Sequence, residues 1–147
     1  MSLIDNVQPM PLPETQTYWD GIDAQTLLIQ RCNACKEFYF PAAPVCPKCT
    51  SRCVEWIEAS GKARLYSYVI TQKPWPEWMQ AWREDGPMSV ALVELAEGPR
   101  LVSTIVDCAQ TPEALEIDMP LLTTYRRFGT RPSMLCFKPA PMDEGSA

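Results

Sequence analysis

Four cysteines stand as two C-x-x-C pairs, Cys32 with Cys35 and Cys46 with Cys49, with ten residues between the pairs. Two residues between thiolates let one tight turn aim both sulfurs at a single cation, and the N–H groups of that turn can hydrogen-bond the sulfurs and offset their charge. Two such knuckles complete a tetrahedron, and a closed shell of four thiolates leaves no coordination position for a substrate. The spacer is short, but a hairpin through residues 38–44 spans it. The pattern predicts one structural zinc ion on Cys32, Cys35, Cys46 and Cys49. Iron in a rubredoxin-type site uses the same ligand set and stays open, and reduced thiols or two disulfides are the bland alternatives. A module of about 25 residues buries too little apolar surface to offset its chain entropy, so metal binding would supply the missing stabilisation.

Little else in the chain is equipped for catalysis. There is no histidine, which excludes a Ser-His-Asp triad, a Cys-His pair within the chain and every His-containing metal site. Acid–base work would fall to Asp, Glu, Lys, Tyr or Cys, and no pair of carboxylates stands out. Cys53, Cys108 and Cys136 are expected as buried or half-buried apolar residues, with no base in view to activate a thiolate.

Two clusters are ambiguous. Trp75, Trp78 and Trp82 are spaced three and four apart, so a short helix opened by Pro76 would place them on one face. They would cap the open end of a barrel, form a protein–protein interface, where Trp is enriched at hot spots, or make a surface for an acyl or aromatic ligand. Arg126, Arg127 and Arg131 gather around a turn. They read as a solvated hairpin with ion pairs to nearby carboxylates, as a contact for the phosphates of CoA, or as a nucleic-acid contact.

The elements that must position these groups follow from composition and pattern. The chain has 147 residues, 46% of them apolar, and a net charge of −5 from 13 Lys+Arg against 18 Asp+Glu. That length suits one domain, or a small module plus a small domain. Nucleic-acid binding rests largely on neutralising phosphates, so the acidic balance argues against it. The first residues lack the charged head and long apolar core of a signal peptide, and no apolar run approaches the ~20 residues of a membrane helix. Seven cysteines, an odd number with four in C-x-x-C units, suit metal binding better than a secreted disulfide framework. The expectation is a soluble cytoplasmic protein without a membrane contact.

Along the chain, Pro9, Pro11 and Pro13 mark an extended arm. Residues 13–20 read as a short helix that Gly21 would stop. Residues 24–31 read as a strand leading into the first knuckle, 38–40 as a short strand ending at Pro41, and 53–60 as a connecting strand. Longer strands follow Gly61: 62–72, 88–96, 100–107, 121–128 and 133–138, with Glu97-Gly98-Pro99 as a hairpin turn. Five strands and no long helix predict a small closed β-barrel, for which the OB-fold is the natural five-stranded candidate. Residues 111–117 sit where that fold carries its connecting helix. The resulting division is an arm and short helix over 1–23, a ribbon over 24–60, a barrel over 61–140 and a polar tail over 141–147.

The stretches RCNACKEFYFPAAPVCPKC (31–49), SGKARLYSYVI (60–70), VALVELAEGPRLVSTIVDC (90–108) and FKPA (137–140) together resemble the zinc-ribbon plus OB-fold family, formerly a domain of unknown function, that accompanies thiolase-superfamily and acyl-CoA hydratase-type enzymes. The resemblance covers roughly residues 14–140. It implies a mainly β protein with an N-terminal helix, a rubredoxin-like zinc ribbon and a C-terminal five-stranded OB-fold barrel. It also implies a non-catalytic accessory or scaffold subunit that pairs with a thiolase-like or hydratase-type partner or helps present an acyl-CoA, in lipid metabolism. It carries over the four cysteine ligands and no catalytic residue. The Trp loop at 73–87 and the arginine hairpin depart from the family pattern. The alternative is a zinc-ribbon/OB-fold module that binds nucleic acid, since OB-folds often stack bases on aromatic side chains. An independent enzyme is disfavoured, and self-association stays open.

Overall fold

The structure, a computed structural model, describes residues 10–72, 86–127 and 133–142. Its one α-helix among these residues, α1 (Gln16–Asp23), precedes eight strands: β1 (Leu28–Cys32), β2 (Phe38–Tyr39), β3 (Val54–Glu58), β4 (Lys62–Thr71), β5 (Met88–Leu95), β6 (Arg100–Ser103), β7 (Pro120–Arg126) and β8 (Met134–Pro139). No described helix is long and apolar enough to cross a membrane.

Gly21 does not stop α1. It is buried inside the helix, which runs two residues further, to Asp23, and ends by a Schellman arrangement. The N–H of Thr26 donates to Gly21 O at 2.8 Å and that of Gln25 to Ile22 O at 3.0 Å, while Gln25 takes the left-handed conformation at φ 58°. This turn uses up residues 24–27, so the strand expected from Ala24 begins only at Leu28. Gly21 is there for space. A Cβ on it would lie 2.8 Å from the carbonyl oxygen of Thr26 and 3.1 Å from the Leu28 side chain. Alanine favours helix by about 1 kcal/mol over glycine, but the neighbour it would meet is backbone and cannot swing away. Gly21→Ala is therefore expected to lower stability by roughly 1–3 kcal/mol, read as a fall in the thermal midpoint. A rise would show that the helix can move off the turn.

Strands β2, β1 and β3 form an antiparallel three-stranded sheet in that order. The second sheet has the order β6-β5-β4-β7-β8, with every neighbour antiparallel. In β5, Ser89, Ala91, Val93 and Leu95 are buried and alternate with half-buried residues, the period of a strand with one face inward. The turn after it forms as the sequence predicts: Gly98 sits at φ 113°, and its N–H donates to Leu95 O at 2.9 Å. A bulge between Leu65 and Ser67 bends β4, which pairs with β5 along its length and with β7 through Lys62–Arg64 only.

The sheet curls into a half-barrel with OB topology. Its two edges meet at a single parallel bridge, Ile105 to Phe137, in place of the closed barrel the strand count suggests. The N–H of Val106 donates to Phe137 O at 2.7 Å and that of Phe137 to Thr104 O at 3.0 Å. Buried Ser89 supports the seam from β5: its hydroxyl accepts from Ile105 N at 3.0 Å. The helix expected over residues 111–117 is absent. A single turn, with Leu115 N–H donating to Thr111 O at 3.0 Å, is enough to bury Leu115. One apolar anchor does not give a helix a face to pack.

The main core is continuous across both sheets. Ile22 of α1 and Leu27 and Ile29 of the ribbon pack in the same cluster as Leu65, Val93, Leu121 and Phe137 of the half-barrel. The ribbon's own cluster holds only three buried residues, Cys32, Tyr39 and Cys46.

Candidate metal centre and adjoining pocket

The two cysteine knuckles are built alike. Cys32 N–H donates to Glu37 O and Cys46 N–H to Ser51 O, both at 2.9 Å. Lys36 N–H donates to Cys32 O and Thr50 N–H to Cys46 O, again at 2.9 Å. Lys36 and Thr50, one residue past each pair, both turn left-handed, at φ 65° and 63°. Each knuckle also directs an N–H at a sulfur: Cys35 N–H to Cys32 Sγ at 3.5 Å and Lys48 N–H to Cys46 Sγ at 3.4 Å. The link between them is pinned at Ala43, whose N–H donates to buried Gln30 Oε1 at 2.7 Å and whose carbonyl accepts from Tyr39 Oη at 3.2 Å. An exposed Lys48–Glu37 pair at 2.8 Å spans the knuckles.

These turns bring the sulfurs of Cys32, Cys35, Cys46 and Cys49 within 4.8 Å of one another. Cys32–Cys49 and Cys35–Cys46 are each 3.6 Å apart, too long for disulfides. A tetrahedron with metal–sulfur bonds of ~2.3 Å has edges of about 3.8 Å, so the donor set fits one ion. The acidities agree with this crowding. The N–H of Cys35 draws the Cys32 thiol down to about 6, against the cost of burial. At Cys35 the N–H of Glu37 pulls downward, but burial and the sulfurs of Cys46, Cys49 and Cys32 push the thiol up to about 12. Cys32 and Cys46 are buried, Cys35 half-buried and Cys49 exposed.

The other cysteines divide. Cys136 is buried and Cys108 half-buried, as expected, whereas Cys53 is exposed. It follows the second knuckle at the start of the return strand, where its carbonyl accepts from Asn33 N–H at 2.8 Å and its side chain has no core to enter. Burial, with Asp107 alongside, raises the Cys108 thiol.

Of the arginine cluster, Arg126 forms an ion pair with Asp107, and Arg127 Nε donates to Ser133 Oγ at 3.2 Å. Arg131 lies outside the described residues, as do Trp75, Trp78 and Trp82.

A second feature was not singled out from the sequence: a pocket of about 550 Å³. Tyr18 and Trp19 of α1 and Phe40 after β2 form one wall, with Tyr18 edge-on to Trp19 at 5.2 Å and to Phe40 at 5.5 Å. The opposite wall comes from the start of β5, from β6 and the seam after it, and from β8. Burial, then Tyr125 and Cys136, lifts the Tyr18 hydroxyl to about 12, so it stays neutral at physiological pH. The only sequence signal for this pocket is the aromatic run Tyr18-Trp19, which local pattern reads as a helix end.

Comparison with known proteins agrees with the geometry. Residues 19–55 match the family model described as "ChsH2, rubredoxin-like zinc ribbon domain" and residues 56–125 that of "ChsH2, C-terminal OB-fold domain". A DUF35 domain-containing scaffold protein of Methanothermobacter thermautotrophicus is 33% identical over 79% of this chain and 84% of its own length. A probable enoyl-CoA hydratase alpha subunit of Thermomonospora curvata is 34% identical over 95% of this chain, which spans only 42% of that relative. Among solved structures, a chain of the Ltp2-ChsH2(DUF35) aldolase is 33% identical, with a TM-score of 0.78 over 91% of this chain and 100% of that one.

Proposed function

Since the chain belongs to the DUF35 family of rubredoxin-like zinc ribbons joined to an OB-fold, we propose that it is a non-catalytic subunit of an acyl-CoA-metabolising enzyme, with a thiolase-superfamily or hydratase-type protein as its partner. The observation that carries this reading is the full-length likeness to the DUF35 chain of an aldolase assembly. The hydratase alpha subunit supports it from a second side, because there the same unit accompanies roughly as much chain again and more. The lack of histidine and a four-cysteine site with no open position also support a scaffold over a catalyst.

Within this reading the four cysteines hold one structural zinc. Its part is to fix β1 and β3 against the half-barrel, since the ribbon's own core is too small to do so. The chemistry belongs to the partner.

The test is affinity purification of the tagged chain from its native host, read by mass spectrometry. A thiolase-fold or hydratase-type protein is expected near one-to-one and stable through moderate salt. Recovery of nucleic acid with ribosomal or transcription proteins, lost as salt rises, would instead favour the nucleic-acid alternative.

A further inference from the structure

We infer that the pocket between α1 and the half-barrel receives the hydrocarbon end of an acyl thioester. This rests on the acyl-CoA reading above and adds to it a place and a chemistry. The volume, about 550 Å³, lies in the ~300–1,000 Å³ range of small-molecule sites, which are mostly apolar with a few placed polar groups. Here Tyr18, Trp19 and Phe40 face Leu101, Ile105 and Leu135.

Three of the polar side chains at the pocket, Ser89, Ser103 and Gln110, are already committed to the protein. Ser89 Oγ accepts from Ile105 N–H at 3.0 Å, Gln110 Oε1 accepts from Ser89 N–H at 2.7 Å, and Ser103 Oγ donates to Leu135 O at 2.9 Å. Arg126 is the one cation among the described lining residues, and Asp107 beside it offsets its charge. A pocket with apolar walls and a balanced mouth favours a neutral hydrocarbon group over a phosphate or a base.

The experiment is methyl NMR of the full-length, zinc-loaded chain titrated separately with octanoyl-CoA, octanoate and CoA. Shifts confined to the methyls of Leu101, Ile105, Met134 and Leu135, with Ile29 and Ile117 still, are expected with octanoyl-CoA. The same shifts with octanoate would also support the inference and show that the thioester is not required. Shifts with CoA alone, or none at these methyls with octanoyl-CoA, would overturn it. Met134→Trp, which fills the space from β8, is expected to weaken octanoyl-CoA binding at least about tenfold, and Met134→Ala to retain it. Should Met134→Trp fail to fold, the wild-type shifts and the alanine variant still decide. A chain that captures its partner but shows no such shifts would lose this inference and keep the accessory role.

Discussion

Replacing Cys46 with serine is expected to lower bound metal from one ion per chain to near none and to unfold the ribbon. Cys46 is wholly buried, its sulfur accepts from Lys48 N–H, and it is one of only three buried residues in the ribbon's cluster. Structural zinc sites bind with apparent free energies of about 10–16 kcal/mol, comparable to the ~5–15 kcal/mol net stability of a whole domain. Losing one of four ligands therefore removes a term the ribbon cannot replace from packing. The damage should spread, because Ile22, Leu27 and Ile29 belong to the common core, and each loses roughly 1.5–3 kcal/mol of burial if the ribbon opens. Elemental analysis and a thermal melt followed by circular dichroism measure both effects. Cys53→Ser is the control: that thiol is exposed and outside the four-sulfur cluster, and its replacement should leave metal content and melting unchanged. Full metal content and an unaltered melt in Cys46→Ser would remove the case for a four-cysteine site. The same elemental analysis separates zinc from iron.

Phe137→Ala is expected to cost about 3–5 kcal/mol, the range for emptying a buried aromatic site. Phe137 is fully buried and heads the largest such side chains among the described residues. Its backbone also forms the bridge to Ile105 that joins the edges of the curled sheet. The ring packs with residues of both sheets, so the cavity left behind has no single element free to collapse into it. Urea unfolding at saturating zinc isolates this loss from that of the metal. Val102→Ala, at an exposed position of β6, should change stability by no more than about 0.5 kcal/mol. A penalty below about 1 kcal/mol for Phe137→Ala would mean that the seam relaxes around the gap.

The two largest effects thus fall on different supports of one core. The four-sulfur cluster would close the ribbon around a metal, while the Phe137 ring fills the half-barrel from within. This division suits the proposed scaffold role.

Local signals were enough to place much of this architecture. The C-x-x-C spacing determines the knuckles because each is a short turn closed by hydrogen bonds between residues four and five apart. The alternation in 88–95 and the Glu97-Gly98-Pro99 turn determine β5, β6 and their hairpin for the same reason. What the sequence did not disclose depends on contacts between distant residues. Gly21 reads as a helix stop until the carbonyl of Thr26 and the side chain of Leu28 are seen pressing on it. Residues 111–117 read as a connecting helix, yet Leu115 alone finds the core. Arg126 gains Asp107 only because the seam after β6 passes beside β7, and the pocket exists only where α1 meets β8, more than a hundred residues later in the chain. Turn chemistry and side-chain period are written into neighbouring residues. Close approach, charge pairing and unfilled volume are properties of surfaces that meet only when the chain has folded.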